Sequence, residues 1–260
     1  MTLTLFVVIS IIQPVKAAEY HLISEIGASA RQIALGHLEG FSESSHSIFD
    51  NPADLFRTSE ISIAAFSVKV MDEVQYSNIA LSSQFLKGHI AVGLMQSTID
   101  DIPETHCPVG CTDNDWELPK IKKWFDYKNT IYKLGYQQTI VPQLHMGINL
   151  VYYRQVFYNI VGAGSNIDLG FVYTFNPNLE ASLLVRNLVP KQYIRYNKGD
   201  DEALPDQYVL SLKKSLMWGI DIYPQMKWFH YQWLPSIGMR YKPNFFPYIN
   251  IMLGYKNNKV

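Results

Sequence analysis

The feature that most constrains this chain is an alternation of apolar and polar residues that begins near Ser59 and recurs to the end of the sequence. Leu144, Met146, Ile148, Leu150 and Tyr152 occupy every second position, with His145, Gly147, Asn149 and Val151 between them. Ile167, Leu169, Phe171, Tyr173 and Phe175 do the same against Asp168, Gly170, Val172 and Thr174. Trp218, Ile220, Ile222, Pro224, Met226 and Trp228 repeat it against Gly219, Asp221, Tyr223, Gln225 and Lys227. Successive side chains of a β-strand point to opposite faces, so each segment has one apolar and one polar face. About eleven such segments can be drawn: 60–71, 73–86, 88–98, 127–140, 142–156, 163–175, 178–188, 206–216, 218–229, 232–242 and 246–256. Most run ten residues or more. Strands of soluble sheets are usually about five or six residues long, whereas roughly nine to eleven are needed to cross a bilayer at a tilt.

Short turns such as Asn176-Pro177-Asn178 alternate with longer connections at 99–126 and 189–205. Aromatic residues gather near the ends of segments, as at Tyr152, Tyr153, Phe157 and Tyr158, at Trp228, Phe229, Tyr231 and Trp233, and at Tyr241, Phe245, Phe246 and Tyr248. Aromatic belts, short turns at one end and long loops at the other are the pattern of an outer-membrane barrel. The fold class expected is therefore all-β, a transmembrane antiparallel outer-membrane β-barrel. Composition narrows the alternatives. With 22 Lys and Arg against 23 Asp and Glu the net charge is -1, without the basic surplus of a nucleic-acid binder. A mean hydropathy of -0.04 is too high for a disordered chain and too low for a bundle of membrane helices.

The start of the chain reads differently. Residues 1–17 are expected to be a signal peptide: Met1 to Val15 carry no charged side chain, Leu3 to Ile12 form an apolar core interrupted only by Thr4 and Ser10, and Val15-Lys16-Ala17 offers a cleavage site before Ala18. Residues 18–58 follow, with a Gly-, Ala- and Ser-rich stretch from Gly27 to Arg57 that shows no period of two. They are expected to form a short helical N-terminal plug, leaving 59–260 as the barrel. The chain is thus expected to be exported to the bacterial outer membrane, with membrane lipid as its surroundings.

Gly27-Ala28-Ser29-Ala30-Arg31, then Gly36, then Ile48-Phe49-Asp50-Asn51-Pro52-Ala53-Asp54-Leu55 resembles the N-terminal signature of the PorV/PorQ group of bacterial outer-membrane proteins. That group is similar in architecture to the FadL long-chain fatty-acid transporters, which share an Asn-Pro-Ala element in the plug. The resemblance continues in Asp168-Leu169-Gly170, in Val185-Arg186-Asn187-Leu188 and in Leu204-Pro205, and departs from the group at His37-Leu38-Glu39. It implies a non-enzymatic barrel of about fourteen strands, so a chain with eleven is read as C-terminally incomplete. A PorV-like protein would receive secreted cargo or meet other components of a type IX-like secretion apparatus. A FadL-like one would pass hydrophobic small molecules such as fatty acids. By the same resemblance Gly27, Ala28, Ser29, Ala30, Arg31, Asn51, Pro52 and Ala53 form the plug, or hatch, motif.

Other chemistry is weaker. Cys107 and Cys111 bracket a short polar loop, and in an oxidising compartment a disulfide is the expected state. A metal there would need two more ligands, and His106, Asp113 and Asp115 match no standard spacing, so no metal and no cofactor is expected. Gly162-Ala163-Gly164-Ser165 lacks the Gly-Lys-Ser/Thr of a phosphate loop, and no Gly-x-Ser-x-Gly elbow marks a hydrolase. Alternation turns Asp168, Glu180, Arg186, Lys213, Asp221, Lys227 and Arg240 toward the lumen. There water or an opposite charge can satisfy them, whether they stiffen the barrel or line a path.

Overall fold

The computed structural model describes residues 26–70, 72–106, 120–229, 231–243 and 249–256. The expected signal peptide, the first residues of the plug segment up to 25, and Cys107 and Cys111 lie outside the described residues.

Thirteen strands form the sheet. They are β1 (Ile61–Val70), β2 (Val74–Phe85), β3 (Gly88–His106), β4 (Lys120–Val141), β5 (Leu144–Phe157), β6 (Ile160–Asn176) and β7 (Leu179–Arg186). Then come β8 (Tyr193–Tyr196), β9 (Glu202–Ala203), β10 (Gln207–Ser215), β11 (Ile220–Phe229), β12 (Gln232–Tyr241) and β13 (Ile251–Lys256). All but β8 and β9 follow one path in chain order, so thirteen less two leaves eleven, one in each segment marked by the alternation. Every step of that path is antiparallel. Left-handed backbone at Asp72, Leu86, Tyr158 and Tyr231, with φ between 54° and 62°, turns four of the hairpins. That twist matches the twist of the strands it joins.

Three expectations change. The connection 99–126 is largely strand: β3 runs on to His106 and β4 begins at Lys120. Here the ladder shifts register between Ile99 and Ile102 and again between Glu104 and Thr105. Residues such as Asp100, Ile121, Lys122 and Trp124 are exposed. With water on both faces nothing selects an apolar side, so the backbone pairs without leaving a period of two. The connection 189–205 contains β8, which pairs with β6 and β9. Four-residue and two-residue strands are too short to show a period. Finally, β1 and β13 are not paired with each other among the described residues, so the sheet is not closed.

Polarity across the sheet is inverted relative to a water-soluble protein. On β5 the side chains of His145, Asn149, Val151, Tyr153 and Gln155 are buried, while Ile148, Leu150 and Tyr152 are 38%, 54% and 45% exposed. The same holds for Ile79 and Leu81 on β2, Tyr208 and Leu210 on β10, and Leu253 and Tyr255 on β13, all exposed.

The inner, polar face is covered by residues 27–58. They contain a helix (Ala30–Ala34) and two 3-10 turns (Ser45–Ile48 and Pro52–Arg57). This segment meets all eleven strands of the path. Ser45 Oγ donates to Ser62 O on β1 at 2.6 Å and lies 3.1 Å from Ser82 Oγ on β2. Phe49 and Ile48 cover Gly93 on β3, Ile48 covers Gly135 on β4, and Asn149 Nδ2 on β5 donates to Ile48 O at 2.9 Å. Asn51 Nδ2 donates to Phe171 O on β6 at 3.2 Å and to Ser182 Oγ on β7 at 2.8 Å. Ser211 Oγ on β10 donates to Glu39 O, Gln225 Nε2 on β11 to His37 O, and Arg240 on β12 to Glu43. Gly36 lies against Gly254 and Tyr255 on β13. A sheet that touches one segment with every strand must curl around it. Beyond the segment, Ile194 of β8 and Leu204 fill the interior with Tyr76, Met95, Ile131, Val151 and Tyr153.

Candidate functional site: the seat of the N-terminal segment

The seat is cut into the wall by glycines. Gly135, Gly147 and Gly170 stand on neighbouring strands, with Gly135 paired to Asn149 and Gly147 paired to Gly170. A Cβ on Gly147 would run into the backbone of Pro52 and Ala53, and one on Gly170 into the side chain of Asn51. Toward the far edge of the sheet, on β12 and β13, Gly238 faces Leu35 and Gly254 faces Leu35 and Gly36. At Gly147, Gly170, Gly238 and Gly254 the N-terminal segment itself fills the space that a side chain would take.

Asn51 locks into this notch. It is fully buried; its Oδ1 accepts from Ala53 N at 2.9 Å, capping the turn, and its Nδ2 reaches the wall at Ser182, Phe171 and Leu183. Pro52 opens the turn, where its missing N–H leaves nothing unsatisfied. Ala53 is fully buried, and its backbone nitrogen lies directly over Gly147. At the other end Gly27 has φ +101°, Ala28 is buried, and Ser29 Oγ accepts from Gln32 N at 3.2 Å to cap the helix begun by Ala30. Arg31 lies 5.8 Å from the ring centre of Tyr223 and donates to Gly40 O at 3.5 Å.

Charge fastens the segment. Glu39 sits between Lys227 and Arg186, 2.9 Å from each, and all three are at most 5% exposed at the side chain. Arg186 also donates to Phe49 O at 2.8 Å. Asp54 accepts from Phe41 N at 2.6 Å and from Arg57 Nε at 2.8 Å; Arg57 in turn bridges to Glu180, which meets Lys213 at 3.1 Å. Arg240 pairs with Asp221 at 2.7 Å and reaches Glu43 at 3.4 Å. Lys133 and Asp168 pair at 2.7 Å, with Asn187 N donating to the second oxygen of Asp168. Burial pushes the carboxyl of Asp54 above the usual aspartate range, with the Arg57 guanidinium pulling it back. Burial also lowers His46, with the neighbouring Asn78 side chain acting in the opposite direction.

All seven charged residues picked out by alternation lie on the inner face and are paired. Four of them, Glu180, Arg186, Lys227 and Arg240, pair with the N-terminal segment through Arg57, Glu39 and Glu43. Those three partners, and also Asp54 and Lys133, are not among the charges that the alternation picks out. Lys133 was within reach, because it shares the inward parity of Ile131 and Gly135. For Glu39 and Arg57 no period exists to say which way they point. Among the described residues no cluster of three or more His, Cys, Asp or Glu is placed to hold a metal. Chemically the site is a seat: it holds a segment in place through side chains that water or another ligand could replace. No family model matches the chain, and no curated protein matches it.

Proposed function

We propose that this protein is a non-enzymatic β-barrel of the bacterial outer membrane, with residues 27–58 as its plug, acting in protein secretion or transport across that membrane. The observation that carries this reading is the inverted polarity of the strands. Soluble proteins rarely expose large contiguous apolar surfaces, and an apolar outside around a polar inside is what lipid demands. On β5 the outward run from Leu144 to Tyr152 covers eight steps of about 3.4 Å, or about 27 Å. Tilted by about 40° it spans roughly 20 Å, close to the ~25 Å apolar band of such barrels. Rings at one end (Phe175, Trp218) and at the other (Tyr158, Tyr231, Trp233) are exposed where headgroups would lie.

Closure belongs to the same proposal. Open edges facing lipid would leave backbone groups unpaired. Ten antiparallel steps separate β1 from β13, so the two edges run in the same direction. An all-antiparallel closure therefore takes an odd number of further strands.

Within this reading a PorV/PorQ-like role, receiving secreted cargo or other secretion components, is favoured by the filled interior. The plug, Ile194 and Leu204 occupy the space that a resting channel would leave open. FadL-like uptake of hydrophobic molecules is the second reading, and it needs the plug to move. Fractionation with gel mobility before and after boiling tests the barrel. Extraction only with detergent, with a heat-dependent shift, is expected; recovery as a soluble periplasmic protein with no shift sinks it.

A further inference from the structure

Asp50 lies between the Ser45–Ile48 turn and Asn51 and is 1% exposed. Neither of its carboxyl oxygens has a hydrogen-bond partner among the described residues. Arg31, whose charge reaches it, leaves Nε and Nη2 without an acceptor as well. A buried carboxylate without partners is far costlier than the neutral acid, and an ionised Asp50 would draw in such a donor. We propose that Asp50 is a proton-operated catch: the plug is seated with Asp50 protonated and leaves its seat with Asp50 ionised, so that unseating releases one proton.

The charges facing Asp50 come from every side. Arg31 of the helix and Arg186 of β7 favour its ionised form, whereas Glu39 and Asp54 of the plug oppose it, and Tyr76 of β2 lies within the same electrostatic reach. Burial outweighs the arginines and pushes the acid from 3.8 up to about 8. The sign follows from proton counting. Between those two values the unseated state has lost the proton and the seated state keeps it, so seating weakens as pH rises and levels off above about 8. Asp54, also raised by burial against its Arg57 partner, carries the same sign wherever it titrates, and the step that is lost in Asp50→Asn is the one that belongs to Asp50. His46, lowered from 6.5 by burial, opposes it only below that value. The clean window is therefore pH 6.5 to 8.

Amide exchange of residues 46–55 in the full chain, in detergent or liposomes and corrected for intrinsic exchange, reads the seating equilibrium. In wild type the open fraction should rise about tenfold per pH unit across this window. In Asp50→Asn, a neutral mimic of the seated form, that tenfold step should vanish. An unchanged slope in Asp50→Asn would assign the proton elsewhere and overturn the proposal, as would a flat wild-type profile. Infrared spectra at pH 7 give a direct readout. A protonated-carboxyl band present in wild type and missing in Asp50→Asn supports the catch, and its absence from wild type overturns it.

Discussion

Along the sheet, each strand of the path is tied by a backbone ladder to the strands before and after it on that path. Residues 27–58 are tied instead by side chains, to partners up to 197 residues away. The ladder needs only extended backbone and correct parity, and many sequences satisfy it. The seat needs particular residues: an amide at 51, a carboxylate at 39, and no side chain at 147 or 170. The sheet is therefore tolerant of change over most of its length, whereas the N-terminal segment depends on a few points. Its contacts are the ones that a conformational change would make and break.

The largest expected effect that would break this contrast is at Glu39. Glu39→Gln leaves Arg186 and Lys227 buried without their countercharge, and removing one member of a buried pair costs about 3–5 kcal/mol. Urea unfolding of the folded protein should show that loss; a change under about 1 kcal/mol would mean that the ion pairs do not hold the segment. Next comes the outer face. Ile148→Arg, at the middle of the apolar run of β5, should cost about 2–4 kcal/mol in a bilayer. No cost there would remove the membrane from the account while leaving the plug intact.

Gly147→Val should separate the two regions most sharply. It forces a side chain into Pro52 and Ala53, and such overpacking costs about 1–3 kcal/mol. Amides of 46–55 should lose protection while those of β5 and β6 keep theirs; a uniform loss would show that wall and plug unfold together. The smallest effect is expected at Lys69, whose 3.9 Å contact with Asp72 lies at an exposed turn. Lys69→Ala should leave the unfolding midpoint where it was.

Sequence alone determined the strands. A side-chain period of two is local, so eleven segments and their inward residues, from His145 and Asn149 to Lys227 and Arg240, can be read without knowing any partner. Where the period fails, so does the reading. The outer ends of β3 and β4 have water on both faces, and β8 and β9 are too short. Asn51-Pro52-Ala53 was visible as a motif, but its purpose was not, because the amide that caps the turn also bonds Ser182 on a strand 131 residues away. Only the tertiary structure decided which charges meet, that Glu39 joins Arg186 to Lys227, and that the Asp50 carboxyl has no hydrogen-bond partner among the described residues. The reason is physical: in an aperiodic segment, side-chain direction is set by the surface it crosses, and that surface exists only once the sheet has curled around it.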